Sequence, residues 1–227
     1  MGWGQGALVL SEPPIDAAVE TVALGLTPTV YTKEGISALN EAAAASGSTV
    51  AVHLKIDTGM RRVGVDPEHA LQIAELVQNS PSLSLSGTMT HLAVADESIA
   101  GAEQQLERFD AVLTAMRAHG IDPGCCHASN SAGLLSVERG KYDMVRTGIA
   151  LYGLPPVATE LALEPALSLV SRVGFVKRVH ADEGISYGWR YHTAHETTIV
   201  TVPIGYADGV RRAMWAVGGE VLIRGRR

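Results

Sequence analysis

Cysteine is nearly absent from this chain: there are two in 227 residues, adjacent at Cys125 and Cys126. Neighbouring cysteines cannot staple distant segments, so a disulfide framework is excluded and a reducing, cytoplasmic setting is expected. Aromatic residues are also scarce, 5% of positions with two phenylalanines, so the core must be mainly aliphatic. Basic residues are outnumbered, 18 Lys and Arg against 24 Asp and Glu, for a formal net charge of -6. That balance makes nucleic acid and anionic membrane surfaces poor partners. No apolar run reaches the ~18 residues of a membrane span. The first residues, Met1 to Pro14, lack the basic start and long apolar stretch of a secretion signal. The histidines show no His-x-His or His-Glu-x-x-His spacing, so no metal centre is expected, although His91, His127 and nearby aspartates could be imagined as ligands.

What is present is an ordinary apolar fraction, 46%, in a chain long enough for one large domain or two smaller ones. Short apolar runs at residues 7–10, 29–31, 49–56, 83–92, 124–129 and 143–146 read as strands. Helical patterns separate them. Residues 15–24 form one, and Thr32 opens a second that Gly47 closes. Asp66, Pro67 and Glu68 supply an N-cap, a first-turn proline and an acidic first turn to a helix ending near Asn79. A long helix covers residues 100–119 and stops at Gly120. Strands alternating with helices imply a parallel sheet covered on its faces. Six such units fill residues 1–153, whereas a closed (β/α) barrel has eight. The pattern leaves open a doubly wound sheet or a barrel short of two units.

After Gly153 the texture changes. Pro155, Pro156 and Pro165 punctuate a linker without helical period, and Leu167, Leu169, Val173, Phe175 and Val179 fall on alternate positions. That alternation predicts a half-buried antiparallel strand. Further strands are expected over residues 197–204 and 220–223, separated by glycine-rich turns. Six of the eleven aromatic residues lie beyond position 174. The division expected is an α/β part over residues 1–158 and the start of an all-β domain over 159–227.

Chemistry gathers where the predicted strands end. One delivers Lys55, Asp57 and then Arg62; the next delivers His91; the following ones deliver His127 to Ser131, and Arg146 with Gly148 and Ile149. Singly, each has an ordinary reading: a rim charge, an ion pair of Arg62 with Asp57, a core histidine, a helix cap at Ser131. Together they occupy the face on which α/β barrels build their sites, with a serine and glycine-rich backbone where such barrels bind phosphate.

Four segments then resemble bacterial alanine racemases in order and spacing. They are Lys55-Ile-Asp57-Thr-Gly-Met60-Arg-Arg62-Val-Gly64, Thr90-His91-Leu-Ala-Val-Ala-Asp96, His127-Ala-Ser-Asn130-Ser131-Ala-Gly133, and Asp143-Met-Val-Arg146-Thr-Gly148-Ile149-Ala-Leu-Tyr152-Gly153. The later part continues the likeness with Gly184-Ile-Ser186-Tyr187-Gly188 and Val202-Pro-Ile-Gly205-Tyr206-Ala-Asp208-Gly209. The resemblance implies a pyridoxal 5'-phosphate enzyme with a (β/α)8 barrel, here its strands 3–8, followed by the start of a C-terminal β domain. It implies a head-to-tail homodimer acting on alanine to supply D-alanine for peptidoglycan.

Carried over motif by motif, Lys55 matches a lysine that is carbamylated in many members, and Arg62 a residue near the cofactor ring. His91 matches the histidine flanking that ring, and Arg146 the arginine bonded to the pyridine nitrogen. Ser131, Gly148 and Ile149 match phosphate contacts, the last two through backbone N–H groups. Tyr187 matches the catalytic tyrosine offered to the partner's site, and Tyr206 a tyrosine at the substrate entrance. The four lysines, Lys33, Lys55, Lys141 and Lys177, lack the context of the family's cofactor-bearing lysine, so the chain is expected to be an internal piece, inactive alone. A related racemase acting on serine and a non-catalytic descendant are the alternatives.

Overall fold

The computed structural model describes residues 6–227. It divides into two compact units, Met1–Ala166 and Leu167–Arg227.

The first unit is built on five parallel strands: β1 (Leu8–Val9), β2 (Thr27–Val30), β3 (Val50–Lys55), β4 (Leu83–Met89) and β5 (Cys125–His127). Their order in the sheet is their order in the chain. A doubly wound sheet reverses its strand order at a switch point, so the sequential order identifies the barrel arrangement. Helices α1 (Ala18–Ala23), α2 (Lys33–Ala45), α3 (Ala70–Gln78) and α4 (Ile99–Ala118) fill the four crossovers, and α5 (Ser131–Ser136) follows β5. Val30, Val52, Leu54 and Ile56 from the sheet pack with Ile36, Leu39, Ile73, Phe109 and Met116 from the helices in one buried cluster. Cys126 joins it, and burial together with Asp143 pushes its thiol up to about 11.

Local chemistry sets the helix starts. Thr32 Oγ1 accepts the Gly35 N–H (3.0 Å), Ser98 Oγ that of Gly101 (3.1 Å) and Asn130 Oδ1 that of Gly133 (2.9 Å). Asp66 differs from its expected role. It makes no side-chain cap bond, and its carboxylate pairs instead with Arg61 at 2.6 Å. The chain passes through a 3-10 turn, Pro67–His69, before α3 begins.

The strand expected at 143–146 is reduced to one parallel bridge between His127 and Met144. The reason is a side chain in place of a ladder carbonyl: Asp143 Oδ2 accepts the Cys126 N–H at 2.7 Å. Past the Met144 bridge the segment is the loop that carries Arg146, held once more by Arg146 N–H to Ser129 O at 2.9 Å.

The second unit has two small antiparallel pairs. β6 (Phe175–Val179) pairs with β9 (Thr197–Thr201), and β7 (Gly184–Ile185) with β8 (Tyr191–His192). The alternating run starting at Leu167 forms strand only from Phe175, and β6 is exposed rather than half-buried. In the β6–β9 register Phe175 faces Thr201, which would set Val173 against Pro203. Proline has no N–H to donate, so the ladder ends there. This also shortens the strand expected over 197–204. The strand expected at 220–223 is a single bridge between Ile223 and Arg226.

Glu12 fixes how β2 hands over to α2. Its carboxylate accepts the N–H groups of Tyr31 (2.7 Å) and Thr32 (2.9 Å) and the Thr32 hydroxyl. A Cβ on Gly35 would lie 2.6 and 2.7 Å from the two carboxylate oxygens. Gly35→Ala is therefore expected to destabilise the protein by about 1–2 kcal/mol, although alanine is the better helix former. In a Glu12→Ala background the same change should cost nothing or stabilise. Chemical denaturation of the four proteins in this cycle checks the coupling.

Candidate functional site

Lys55 closes β3 and is 4% exposed. The chain then loops out and returns over the strand end: Val65 N–H donates to Lys55 O (2.9 Å) and Asp57 N–H to Val65 O (2.8 Å). The return needs Gly64, whose φ is +125° and whose Cβ, if present, would lie 3.0 Å from Asp57 N. Inside the loop, Asp57 Oδ1 accepts the N–H groups of Gly59 and Arg61, both at 3.0 Å. Asp57 is thus committed to backbone. The alternative ion pair of Asp57 with Arg62 is not formed, and Arg62 has no salt bridge among the described residues.

Helix α4 clamps this loop to the next strand end. Gln105, 4% exposed, donates through Nε2 to Thr58 Oγ1 (3.2 Å) and His91 O (3.1 Å) and accepts Ala93 N–H at 2.8 Å. Arg108 donates to Thr58 O at 2.9 Å, and the Thr58 and Thr90 hydroxyls meet at 2.7 Å.

Arg146 is the centre of the group. Its own N–H is fixed to Ser129 O at 2.9 Å. Nη2 donates to Thr90 O (2.6 Å), Ala128 O (3.0 Å) and His91 Nδ1 (3.4 Å), and Nη1 donates to His127 Nδ1. None of these acceptors is a carboxylate. Nε has no partner among the described residues. Burial lowers the pKa of Arg146 to about 10, still leaving it cationic at neutral pH.

That charge shapes its neighbours. Lys55 is lowered from the ordinary lysine value by burial first, then by Arg62 and Arg146, with Asp57 opposing. Burial, Arg146, Lys55 and Arg62 take His91 down to about 4. Burial and Arg146 also lower His53, and with His53 they take His127 to about 3. These histidines are neutral at pH 7, which agrees with ring nitrogens accepting from the arginine.

A second group lies just beyond. Ser131 Oγ accepts two backbone N–H groups, those of Gly148 (2.9 Å) and Ala150 (3.2 Å). Two amides converging on one oxygen form an acceptor-seeking loop, and nothing lies within 4 Å of a Cβ built on Gly148. The structure brings Ser131 and Gly148 together as expected; the second converging amide is that of Ala150, with Ile149 between them. A cation with an unused N–H, beside amides that gather on an oxygen, has the donor set for the pyridine nitrogen and phosphate of the cofactor implied by the resemblance.

Thus Lys55, Arg62, His91 and Arg146 form one electrostatic group, and Ser131, Gly148 and Ile149 one loop. Tyr187 and Tyr206 lie in the second unit, 78% and 67% exposed. Each opens a short 3-10 turn, Tyr187–Trp189 and Tyr206–Asp208. Sequence reasoning gave no role to Gln105, Ala150 or His53. The one available signal for His53 was Gly87 interrupting a strand opposite it, a mark of close approach.

A sequential parallel sheet with charged and hydroxyl groups gathered at its strand ends defines the class as a (β/α)-barrel protein. Comparison with known proteins gives the particular family. Residues 1–156 match the alanine racemase N-terminal domain and residues 166–227 the alanine racemase C-terminal domain. An alanine racemase of Desulfovibrio desulfuricans is 42% identical over 224 residues, covering 97% of this chain and 60% of that protein. One from Symbiobacterium thermophilum is 43% identical, covering 89% of this chain and 55% of its own length. Among solved structures, alanine racemase from E. faecalis superposes with a TM-score of 0.78 at 37% identity, over 91% of this chain and 57% of that one. Alanine racemase from Bacillus anthracis with bound L-Ala-P gives 0.76 at 34% identity, over 92% and 55%. The chain belongs to the alanine racemase family, and it spans about 60% of the length of the first of these curated relatives.

The depressed histidines make stability pH-dependent. Between their ordinary value of 6.5 and their folded values, the unfolded chain binds protons that the folded chain does not. Stability is therefore full above that ordinary value and falls as pH is lowered below it. Fully buried His127 alone should give a slope of about 1 kcal/mol per pH unit. Denaturant midpoints measured from pH 7 to 4 check this, and a flat profile above pH 5 would contradict it.

Proposed function

We propose that the protein containing these residues is a pyridoxal-phosphate-dependent alanine racemase, interconverting L- and D-alanine in the cytoplasm and supplying D-alanine for peptidoglycan. The observation that carries this is Arg146, a buried cation with no carboxylate partner and with Nε unused, next to neutral His91 and the Gly148–Ala150 amides. Family membership supports the same reading. In this reading residues 1–158 belong to the cofactor-binding barrel and residues 159–227 begin the β domain.

Pyridoxal phosphate, when bound, delocalises the charge left on the α-carbon as its proton is removed. The chain's residues supply orientation and proton handling. Arg146 Nε would donate to the ring nitrogen of the bound cofactor, and its charge would oppose protonation there and so limit transamination. His91 would flank that ring, and Ser131 with the Gly148 and Ile149 N–H groups would hold the phosphate. Arg62 would stand near the phenolic oxygen. Lys55 holds Arg62 once carbamylated: its depressed pKa favours the free amine, whose lone pair attacks the carbon of carbon dioxide, releasing a proton. A cation among cations becomes an anion among cations. The Tyr187 phenolic oxygen, offered by one copy of a head-to-tail homodimer to the other, exchanges the α-proton on one face. Tyr206 lines the entrance for alanine.

Two outcomes are expected of the full-length protein. Arg146→Gln should lower racemisation by about 10²-fold or more and raise the share of turnovers that end in pyruvate; an unchanged share would count against the role given to its charge. In 13C-bicarbonate, NMR should show a carbamate carbon that disappears in Lys55→Ala, and its absence from the unsubstituted protein would remove Lys55 from the account.

A further inference from the structure

Two buried histidines, His53 and His127, remain outside the mechanism above. His53 lies on β3 and His127 on β5, with β4 between them. Adjacent strands are ~4.8 Å apart, so side chains two strands apart ordinarily meet the residue between. Here the two rings are in contact: Nδ1 of His53 is 2.7 Å from Nε2 of His127, and the ring centroids are 5.0 Å apart. Gly87 makes this possible. It is the register partner of His53 on one side and of Cys125 on the other. A Cβ on Gly87 would overlap the His53 ring, falling 2.6 Å from Nδ1. The β3–β4 register also shifts between Val52 and His53.

Hydrogen-bond direction fixes the rest. Guanidinium nitrogens only donate, so Nδ1 of His127, which receives from Arg146 Nη1, is an acceptor. The proton of His127 is then on Nε2, the nitrogen facing His53. His53 Nδ1 must in turn accept. The sequence Arg146 to His127 to His53 runs one way through neutral rings, and a flipped His127 tautomer would aim an N–H at the arginine.

We propose that Gly87 is a window in β4 through which His53 accepts the Nε2 proton of His127 and so stabilises the tautomer that receives Arg146, and that His53 is thereby a positioning residue for Arg146. The pair holds Nη1, which leaves Nε as the nitrogen turned to a ligand. It does so without a carboxylate, so the charge of Arg146 is not neutralised. The charged or titratable groups acting on the pair are Arg146 and the two rings themselves. The functional consequence rests on the proposed cofactor chemistry; the tautomer does not.

The test uses the full-length protein with histidine ring nitrogens labelled with 15N. At pH 7, with or without pyridoxal phosphate, His127 should show the neutral form protonated at Nε2. His53→Leu and Gly87→Ala should each convert it to a mixture of tautomers, whereas His53→Asn, whose amide oxygen takes the place of Nδ1, should preserve it. With pyridoxal phosphate alone, the first two variants should bind about tenfold more weakly, and with alanine they should yield a larger share of pyruvate, while the asparagine variant stays near the unsubstituted protein. An imidazolium or Nδ1-protonated His127, or a tautomer unchanged in both His53→Leu and Gly87→Ala, overturns the proposal. An intact tautomer series in a protein that does not bind pyridoxal phosphate would overturn the functional reading alone.

Discussion

Taking a guanidinium out of water costs several kcal/mol unless its N–H groups find partners, and in this chain that constraint organises the strand ends. Arg146 is held by the carbonyls of Thr90 and Ala128 and by nitrogens of His91 and His127. These acceptors come from the ends of β4 and β5 and the residues just after them, so satisfying one side chain sets the relative position of two strands. No carboxylate is among them. Burial and, after it, nearby positive charge including that of Arg146 lower the pKa of Lys55 and of three histidines.

The loop bearing Arg62 is held by other means. Backbone bonds close it at Lys55, Asp57 and Val65, Gly64 permits the close return, and Gln105 ties it to the backbone after β4. Gln105 uses its oxygen and both amide hydrogens in a buried site. Its removal would leave His91 O and Ala93 N–H, two backbone groups of the loop after β4, without that partner, and such groups are costly when buried. The helical layer thus acts as a second source of order for the site, independent of the arginine.

Much of this was legible in the residues. Strands at 49–56 and 83–92 were marked by apolar runs, and caps at Thr32 and Gly47 by their chemistry. The site residues of the first unit stood out because four successive strand ends carried charged or hydroxyl groups. What could not be read depended on partners far apart in sequence. The carboxylate of Asp143 reached Cys126 and replaced a strand by a loop. Asp66 chose Arg61 over its own helix. Pro203 ended the pairing of residues that alternate well on their own. His53 and His127 lie 74 residues apart, and only the register that places Gly87 between them shows that they touch. Periodicity reports which face a residue prefers, whereas these outcomes turned on which hydrogen-bond acceptor arrived first.

The carboxylate on Cys126 has one more effect, on the sheet as a surface. An uncovered strand edge offers its amides to any other extended chain, and exposed edges are where sheets join into aggregates. β5 is three residues long, and one of its amides is already engaged by Asp143 Oδ2. The β5 side of the sheet is thus a weak template for strand addition, because a carboxylate of the same unit already occupies an amide that an added strand would need.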